Sequence, residues 1–372
     1  VALGVVQGWP ELSVSSDLVG LESEWPAPLA KPAAAAWPLR WQTALLPGSL
    51  RNGETPRDQL RLDLGSVLQA RLVRDLSGDS ARITGGAVGV LEPAPAAPDN
   101  GLQLRMNVAR LDADAWMRAW QRLPADAGVG GLALPPTQVL LRAGQLVAGE
   151  RRLDAVTLDL QHDPQSAEVP WRGHVEAEQL AGRIAWRAPA SPADPGRLSA
   201  RLARLALPPS ESVDLEPLLE RAPARMPALD VVVDDFEFRG RKLGRLEVQA
   251  VSRPSAARAG AREWHLDRLD LALPEARLQA SGTWAPAPAV GAPRRMNLDF
   301  EVELADSGKL ATRFGWADAM RGGKGRLGGK LGWDGSPLTP DFDSMDGQVR
   351  IALESGQFLR AEPGGFGRLL GI

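Results

Sequence analysis

Residues 296–304 read Met-Asn-Leu-Asp-Phe-Glu-Val-Glu-Leu, so apolar and polar side chains alternate without a break. Successive side chains of a β-strand point to opposite faces of the sheet. Met296, Leu298, Phe300, Val302 and Leu304 therefore share one face, and the other face carries an amide and three carboxylates. The pattern predicts a strand with one face in water and one apolar face that something must cover.

The same alternation recurs along the chain and predicts many strands of this kind. With the five apolar residues of 296–304, the apolar positions of these strands form what we call the predicted lining set. Its other members are Leu60, Leu62, Leu64, Leu102, Leu104, Met106, Val156, Leu158, Leu160, Leu246, Val248, Leu269, Leu271, Leu273, Leu278, Val349, Ile351 and Leu353.

The composition is that of a folded chain without a strong electrostatic partner. The 372 residues are 44% hydrophobic and 24% charged, with a net charge of −3, which argues against disorder and against nucleic-acid binding. Cysteine is absent, so disulfides and thiolate metal sites are excluded. The length exceeds that of one compact core, so we expect several domains or one elongated, repetitive architecture. The chain contains no run of 18 apolar residues, so no membrane span is predicted in it.

Proline-, alanine- and glycine-rich segments separate the predicted strands. Because proline removes a donor from the strand ladder, these segments are predicted to be turns or exposed loops. Without a regular alternation of strands and helices, an antiparallel, mainly β fold is favoured. The separating segments are residues 93–99, 188–196, 254–260 and 286–293.

Few segments have helical spacing. Residues 112–123 have an aspartate cap followed by Trp116, Trp120 and Leu123, whose spacing predicts a helix with a core-facing side. Shorter helices are predicted over 213–221 and 306–314. A weak repeat places a glycine and a tryptophan at strand ends, which predicts a bend at the glycine and a tryptophan at the sheet margin. The repeats are Gly182–Trp186, Gly282–Trp284 and Gly329–Trp333.

Motifs for catalysis or metal binding find little support. Residues 323–328 fit G-x-G-x-x-G formally, but a strand-like stretch follows where a dinucleotide site needs a helix, so a glycine-rich turn is predicted. His162, His174 and His265 stand alone, without metal-ligand spacing. We therefore expect no enzyme activity, no cofactor and no metal site.

Two stretches near the beginning read Gly8-Trp-Pro-Glu-Leu-Ser-Val-Ser-Ser-Asp-Leu-Val-Gly-Leu21 and Trp25-Pro-Ala-Pro-Leu-Ala-Lys31. Three later blocks cover residues 229–246, 278–284 and 356–370. Together these stretches resemble the YhdP branch of the AsmA-like bacterial envelope proteins. The resemblance extends over nearly the whole chain as a pattern, not as a catalytic motif.

This resemblance implies a middle segment of a large protein with a single inner-membrane span outside the chain. The implied fold is an elongated, curved antiparallel sheet around an open, taco-like apolar groove, with a few short helices. Such proteins are associated with phospholipid movement between the inner and outer membranes and look similar to eukaryotic bridge-like lipid transfer proteins. The resemblance implies that the predicted lining set contacts phospholipid, that the chain is periplasmic, and that partners include the inner membrane and other envelope proteins.

Other readings remain open at this stage. From alternating strands alone, a sandwich or barrel whose apolar face is covered by protein is favoured, and the resemblance favours the groove instead. The competing function is an envelope scaffold or adaptor, a β-sandwich that binds another protein. We expect one elongated segment over 1–372, with sub-segments 1–100, 101–225 and 226–372. A chain that starts without Met and ends at Gly371-Ile372 is expected to be a fragment.

Overall fold

In the computed structural model the protein is mainly β. Nineteen strands form the main sheet structure, two very short strands pair with each other, and the described residues include two short helices. The chain divides into two compact units, which are unit 1, Val1–Glu178, and unit 2, Gln179–Ile372. The structure describes residues 1–6, 8–46, 48–49, 55–78, 81–98, 100–122, 135–149, 151–189, 194–207, 226–255, 258, 260–287, 293–315, 320–337, 340–354 and 357–358.

In unit 1, each strand pairs with the next strand along the chain from β1 to β10. The sheet is therefore a single layer of neighbouring strands. Its elements are β1 Ala2–Val6, β2 Trp9–Ser16, β3 Leu39–Leu45, β4 Arg57–Leu64, β5 Leu68–Asp75, β6 Arg82–Val90, β7 Gly101–Asp112, α1 Ala113–Gln121, β8 Thr137–Ala148, β9 Arg151–His162 and β10 Trp171–Glu176.

Unit 2 has the same plan. Strands β11 to β17 pair in chain order, β17 pairs with β19, and β19 pairs with β20, while β18 and β21 form the separate two-stranded sheet. The elements are β11 Leu180–Arg187, β12 Arg197–Leu207, β13 Ala228–Phe238, β14 Arg241–Pro254, β15 Arg262–Ala272, β16 Ala276–Ala285, β17 Arg295–Leu304, α2 Ser307–Arg313, β18 Met320–Arg321, β19 Gly325–Asp334, β20 Asp346–Leu353 and β21 Gln357–Phe358.

Most strand pairs are antiparallel, as the sequence predicts, but three are parallel: β6 with β7, β7 with β8, and β12 with β13. A parallel pair needs a connection that returns the chain to the end of the sheet where the first strand began. The connection after β6 makes that return, and so does the connection after β7, which contains α1. The alternation of side chains is the same in both kinds of pair, so the sequence pattern does not distinguish them.

The alternation of residues 296–304 is confirmed in β17. Its four polar residues are exposed, Leu298, Phe300, Val302 and Leu304 are half-buried, and Met296 is 1% exposed. The proline-rich segments predicted to be connections also lie between strands, apart from Pro254, which is the last residue of β14. The strand pattern therefore gives both the elements and their exposed faces.

Both described helices have aspartate caps, of which the one at Asp112 was predicted. The Asp112 carboxylate accepts a hydrogen bond from the Ala115 N–H (2.7 Å), and that of Asp306 accepts one from the Lys309 N–H (3.0 Å). In α1, the Trp116 ring lies 5.7 Å from that of Trp25 in the β2–β3 loop. The Trp116 indole N–H donates to the carbonyl of Ala27 in that loop (2.9 Å), so this tryptophan ties the helix to the loop. The helix predicted over 213–221 lies outside the described residues.

A tryptophan-rich cluster lies at one margin of the sheet in unit 2, where the glycine–tryptophan repeat predicts tryptophan. Trp264, Trp284, Met296 and Trp333 are direct neighbours across β15, β16, β17 and β19, and all are buried. The guanidinium of Arg294 lies 4.5 Å from the Trp284 ring centre and donates to the Trp284 carbonyl (2.8 Å), and its burial lowers the pKa of Arg294. This margin is a small core of its own.

Candidate functional site

Strand pairing in unit 2 aligns apolar residues into three rows that cross the sheet at right angles to the strands. Each row takes one residue from every strand of this sheet, β11 to β17, β19 and β20, and every member is apolar or glycine. We call them rows A, B and C. Row A is Gly182, Leu202, Val233, Leu246, Leu271, Leu278, Val302, Leu327 and Ile351; row B is Ile184, Ala200, Val231, Val248, Leu269, Ala280, Phe300, Gly329 and Val349; row C is Trp186, Leu198, Leu229, Ala250, Leu266, Gly282, Leu298, Leu331 and Gly347.

Unit 1 has two such rows, which we call rows D and E. Row D extends from β2 to β10 and row E from β3 to β10, again with only apolar residues and glycine. Row D is Val14, Trp41, Leu62, Ala70, Val88, Leu104, Val139, Leu160 and Gly173; row E is Leu39, Leu64, Leu68, Val90, Met106, Leu141, Leu158 and Val175.

Much of this apolar surface is only partly covered. In unit 2 the row residues on β15 to β19 are mostly half-buried, whereas the adjoining tryptophan margin is almost fully buried. On β20 the exposure rises to 45% at Val349 and 49% at Ile351. A sheet packed in a sandwich buries its inner face as a shared core. The rows of unit 2 instead leave a strip of apolar side chains open toward solvent.

Two neighbouring glycines of β19 differ in how closely the backbone of another strand approaches them. A methyl group at Gly329, in row B, would overlap the backbone carbonyl oxygen of Gln348 on β20. A methyl group at Gly328, on the opposite face, would have its nearest neighbour at 3.3 Å, the Phe300 carbonyl oxygen. The backbone of β20 therefore lies close to β19 at position 329 and leaves no space for a side chain there.

Ion pairs between side chains of neighbouring strands stabilise the polar face of the sheet in unit 2. Asp270, which is 4% exposed, accepts hydrogen bonds from Arg277 (2.7 and 2.9 Å), Gln279 (3.0 Å) and Arg268 (3.0 Å). These partners, Arg277 first, hold the pKa of Asp270 well below its usual range. A concavity of about 970 Å³ on this polar face lies between charged side chains, among them Glu301 and Arg350. It lies on the opposite face from the apolar rows.

All members of the predicted lining set lie in described strands except Leu273, which directly follows β15. Nine of them lie in unit 1, on β4, β7 and β9, and fourteen in unit 2, on or beside β14 to β17 and β20. Strand pairing brings most of them into rows A to E. Met296 lies in the buried tryptophan margin instead, and Leu60 and Leu102 lie in a further row of unit 1 that contains polar residues.

Sequence reasoning missed several strands that complete the rows. The run Val231–Val233 of β13 has no alternation, and glycines interrupt the alternation of β19, of which only the stretch after residue 328 was predicted to be strand-like. Residues 325–328 belong to β19, so the prediction of a turn there is wrong, whereas the strand-like stretch predicted after residue 328 is confirmed, because β19 continues to Asp334. The signal available in β19 was its glycines, because two of them, Gly325 and Gly329, lie so close to the β20 backbone that a side chain would overlap it.

The described residues also bear on the other classes of function. Among them, no group of three or more His, Cys, Asp or Glu residues could hold a metal ion. None of the helices in the described part of the chain is long and apolar enough to cross a membrane.

Comparison with known proteins gives the family. The family model described as YhdP protein matches residues 8–372. The chain belongs to the YhdP family. Membership in the YhdP family supports an AsmA-like protein of the cell envelope with a relation to lipid transport. No curated protein and no solved structure matches this YhdP-family chain.

Proposed function

We propose that the chain is a segment of a periplasmic lipid conduit, which carries phospholipids between the inner and outer membranes along its apolar rows. In this proposal, a span outside the chain anchors the protein to the inner membrane, and other envelope proteins act as its partners. Family membership supports the setting in the envelope. The rows support lipid as the cargo.

The observation that carries the proposal is the continuity of rows A to C. A cargo that moves across a sheet crosses one strand about every 4.8 Å. Along rows A to C it meets an apolar residue or glycine at every strand from β11 to β20. Soluble proteins rarely leave a large contiguous apolar patch open to water, so lipid acyl chains are a fitting cover. No catalytic step is part of this proposal.

Photo-crosslinking along β17 tests the conduit. A photoreactive side chain is introduced singly at Leu298, Phe300 or Val302, and as matched controls at Asp299 or Glu301. Residues of the first group face the rows and those of the second face solvent, so capture of phospholipid should alternate from one position to the next. Mass spectrometry of the adducts measures the capture.

The competing scaffold function gives a different pattern in the same experiment. If a partner protein covers the apolar face, positions 298, 300 and 302 should yield protein adducts and no phospholipid. Equal lipid capture at all five positions would mean nonspecific contact and would also contradict the conduit.

A further inference from the structure

The β13–β14 hairpin places an arginine at one margin of the apolar rows in unit 2. Arg239 and Gly240 form its two-residue loop, and both have positive φ angles (51° and 74°), as in a type I′ turn. This tight loop pairs Phe238 directly with Arg241, so the two side chains lie on the same face of the sheet. Phe238 packs against the buried cluster that contains Val233 of row A. Arg241 therefore lies on the apolar side of the sheet, at the margin beyond row A.

An aromatic ring at the end of α2 positions Arg241. The Arg241 guanidinium lies over the ring of Phe314, 5.6 Å from the ring centre. Phe314 directly follows α2, whose last residue, Arg313, donates to the Lys242 carbonyl of the hairpin (2.8 Å). Contact with a ring occupies one flat side of a guanidinium and leaves the N–H groups at its edge free to donate. Arg241 is exposed and forms no ion pair with the described residues, so a ligand can reach these donors.

The hairpin loop is basic, although the whole chain has a net charge of −3. Three of the four residues 239–242 are arginine or lysine. The Arg239 guanidinium lies 5.3 Å from the ring centre of Phe238, so it also lies beside a ring of the apolar side. Lys242 points to the polar face instead, where its ammonium lies 3.9 Å from the Asp235 carboxylate. The apolar side of the hairpin therefore carries two arginines, and the polar side carries the lysine.

The two margins of rows A to C differ in character. Beyond row C lies the buried tryptophan cluster, whereas beyond row A lie the exposed Arg241 and the half-buried Phe314. The rows are two residues apart along each strand, so together they extend over about 13 Å from one margin to the other. An acyl chain whose polar end lies at the hairpin would cross all three rows. At that polar end, a guanidinium is the group that best matches a phosphate, because it can donate two parallel hydrogen bonds.

We propose that Arg241 binds the phosphate of a phospholipid whose acyl chains lie across rows A to C. The lipid then has a fixed orientation, with its phosphate at the hairpin and the ends of its acyl chains toward the tryptophan cluster. Arg239 adds positive charge beside the same phosphate. The inference rests on the proposed lipid conduit and adds to it a contact with the phosphate, which is the group that all phospholipids share.

Binding of two lipids with identical short acyl chains to the delipidated 372-residue chain tests the site. The lipids are phosphatidylglycerol and diacylglycerol, which differ in the phosphate headgroup, and glycerophosphoglycerol serves as the chain-free competitor. We expect Arg241→Gln to weaken phosphatidylglycerol binding about tenfold, because a charge-assisted hydrogen bond is lost, and to leave diacylglycerol binding unchanged. Lys242→Gln is the matched control. It removes a positive charge from the next residue of the same hairpin, on the polar face, and should change the binding of neither lipid.

A conservative variant and the chain-free competitor complete the test. Arg241→Lys keeps the charge without the two parallel donors, so it should recover part of the affinity for phosphatidylglycerol that Arg241→Gln loses. Glycerophosphoglycerol should compete poorly, and strong competition by it would indicate a site for soluble phosphates instead. Equal effects of Arg241→Gln and Lys242→Gln, or no recovery in Arg241→Lys, would overturn the phosphate contact and leave the conduit intact. Failure of both lipids to bind the parent chain would overturn the conduit itself.

Discussion

Gly328 and Gly329 are consecutive residues of β19 with opposite surroundings. Because a β-carbon at Gly329 would overlap the Gln348 carbonyl oxygen, Gly329→Ala should destabilise the protein by about 1–3 kcal/mol. Gly328→Ala, with its nearest contact at 3.3 Å, should stay within about 0.5 kcal/mol of the parent. Urea unfolding of the two variants measures the difference. Equal free energies of unfolding would mean that the backbone of β20 does not crowd position 329.

Asp270 should make stability depend on acid pH. Its pKa in the folded state is lowered by Arg277, Gln279 and Arg268, below the value of about 3.9 for an unfolded aspartate. The stabilisation is therefore complete above about pH 4 and is lost as the pH falls below that value. Asp270→Asn should cost about 2 kcal/mol at neutral pH, since the two arginines lose a buried acceptor.

The difference between the parent and Asp270→Asn should shrink when urea unfolding is repeated at about pH 3. Asp267→Asn is the matched control, because Asp267 is largely exposed and its ion pair with Arg253 is long (3.5 Å). A pH-independent cost for Asp270→Asn would show that the carboxylate charge is not what stabilises this part of the sheet.

Single residues were predictable from the sequence where alternation is complete and unpredictable where it breaks. The faces of Leu298 and Asp299 follow from period two alone. The position of Gly329 in row B depends on its register against Phe300, which is set by pairing between strands. Likewise, Thr137 and His162 are neighbours only because of the register between β8 and β9. Register is a property of the folded sheet, so one-strand patterns do not contain it.

At the level of elements, α2 depends on one arginine. Arg313 donates to both carboxylate oxygens of Glu275 (2.6 and 3.0 Å) and to the Lys242 carbonyl (2.8 Å), and it lowers the pKa of Glu275. Arg313→Gln should therefore release the helix from the β15–β16 turn. Amide hydrogen exchange over 307–313 should become faster, by about tenfold or more.

Lys309→Gln is the control on the same helix, because the Lys309 side chain is 75% exposed and its ion pair within the described residues is with the cap residue Asp306. It should leave exchange in α2 nearly unchanged, since exposed ion pairs contribute little. Similar exchange rates in the two variants would mean that α2 is held by packing of Phe314 against its neighbouring cluster and not by Arg313.

Elements with complete local signals were predicted well. Both aspartate caps mark the helix starts, and proline-rich segments mark the ends of strands. The parallel pairing of β6 with β7 and of β12 with β13 was not predicted, because it depends on where a loop returns the chain. That path is decided by the whole sheet, whereas caps and proline act within a few residues.

At the scale of the whole molecule, stability should depend on bound lipid. If lipid covers rows A to E as proposed, its removal should expose them, so a dye that binds apolar surface should become more fluorescent and the melting temperature should fall. Adding phospholipid at about 100 times its dissociation constant should restore about 2.7 kcal/mol. Calorimetry with and without lipid measures this. An unchanged melting temperature across the series would indicate that lipid does not cover the rows.

The evenness of rows A to C has a consequence for the rate at which a cargo could travel. An acyl chain that advances by one strand spacing exchanges contact with one apolar residue or glycine for contact with the next, so its free energy changes little from strand to strand. Dispersion contacts of this kind are individually weak, and no single position holds the chain. Motion along unit 2 would then resemble one-dimensional sliding with modest friction. A single charged substitution within a row, such as Val302→Asp, would raise the free energy of an acyl chain at that position and so slow its movement.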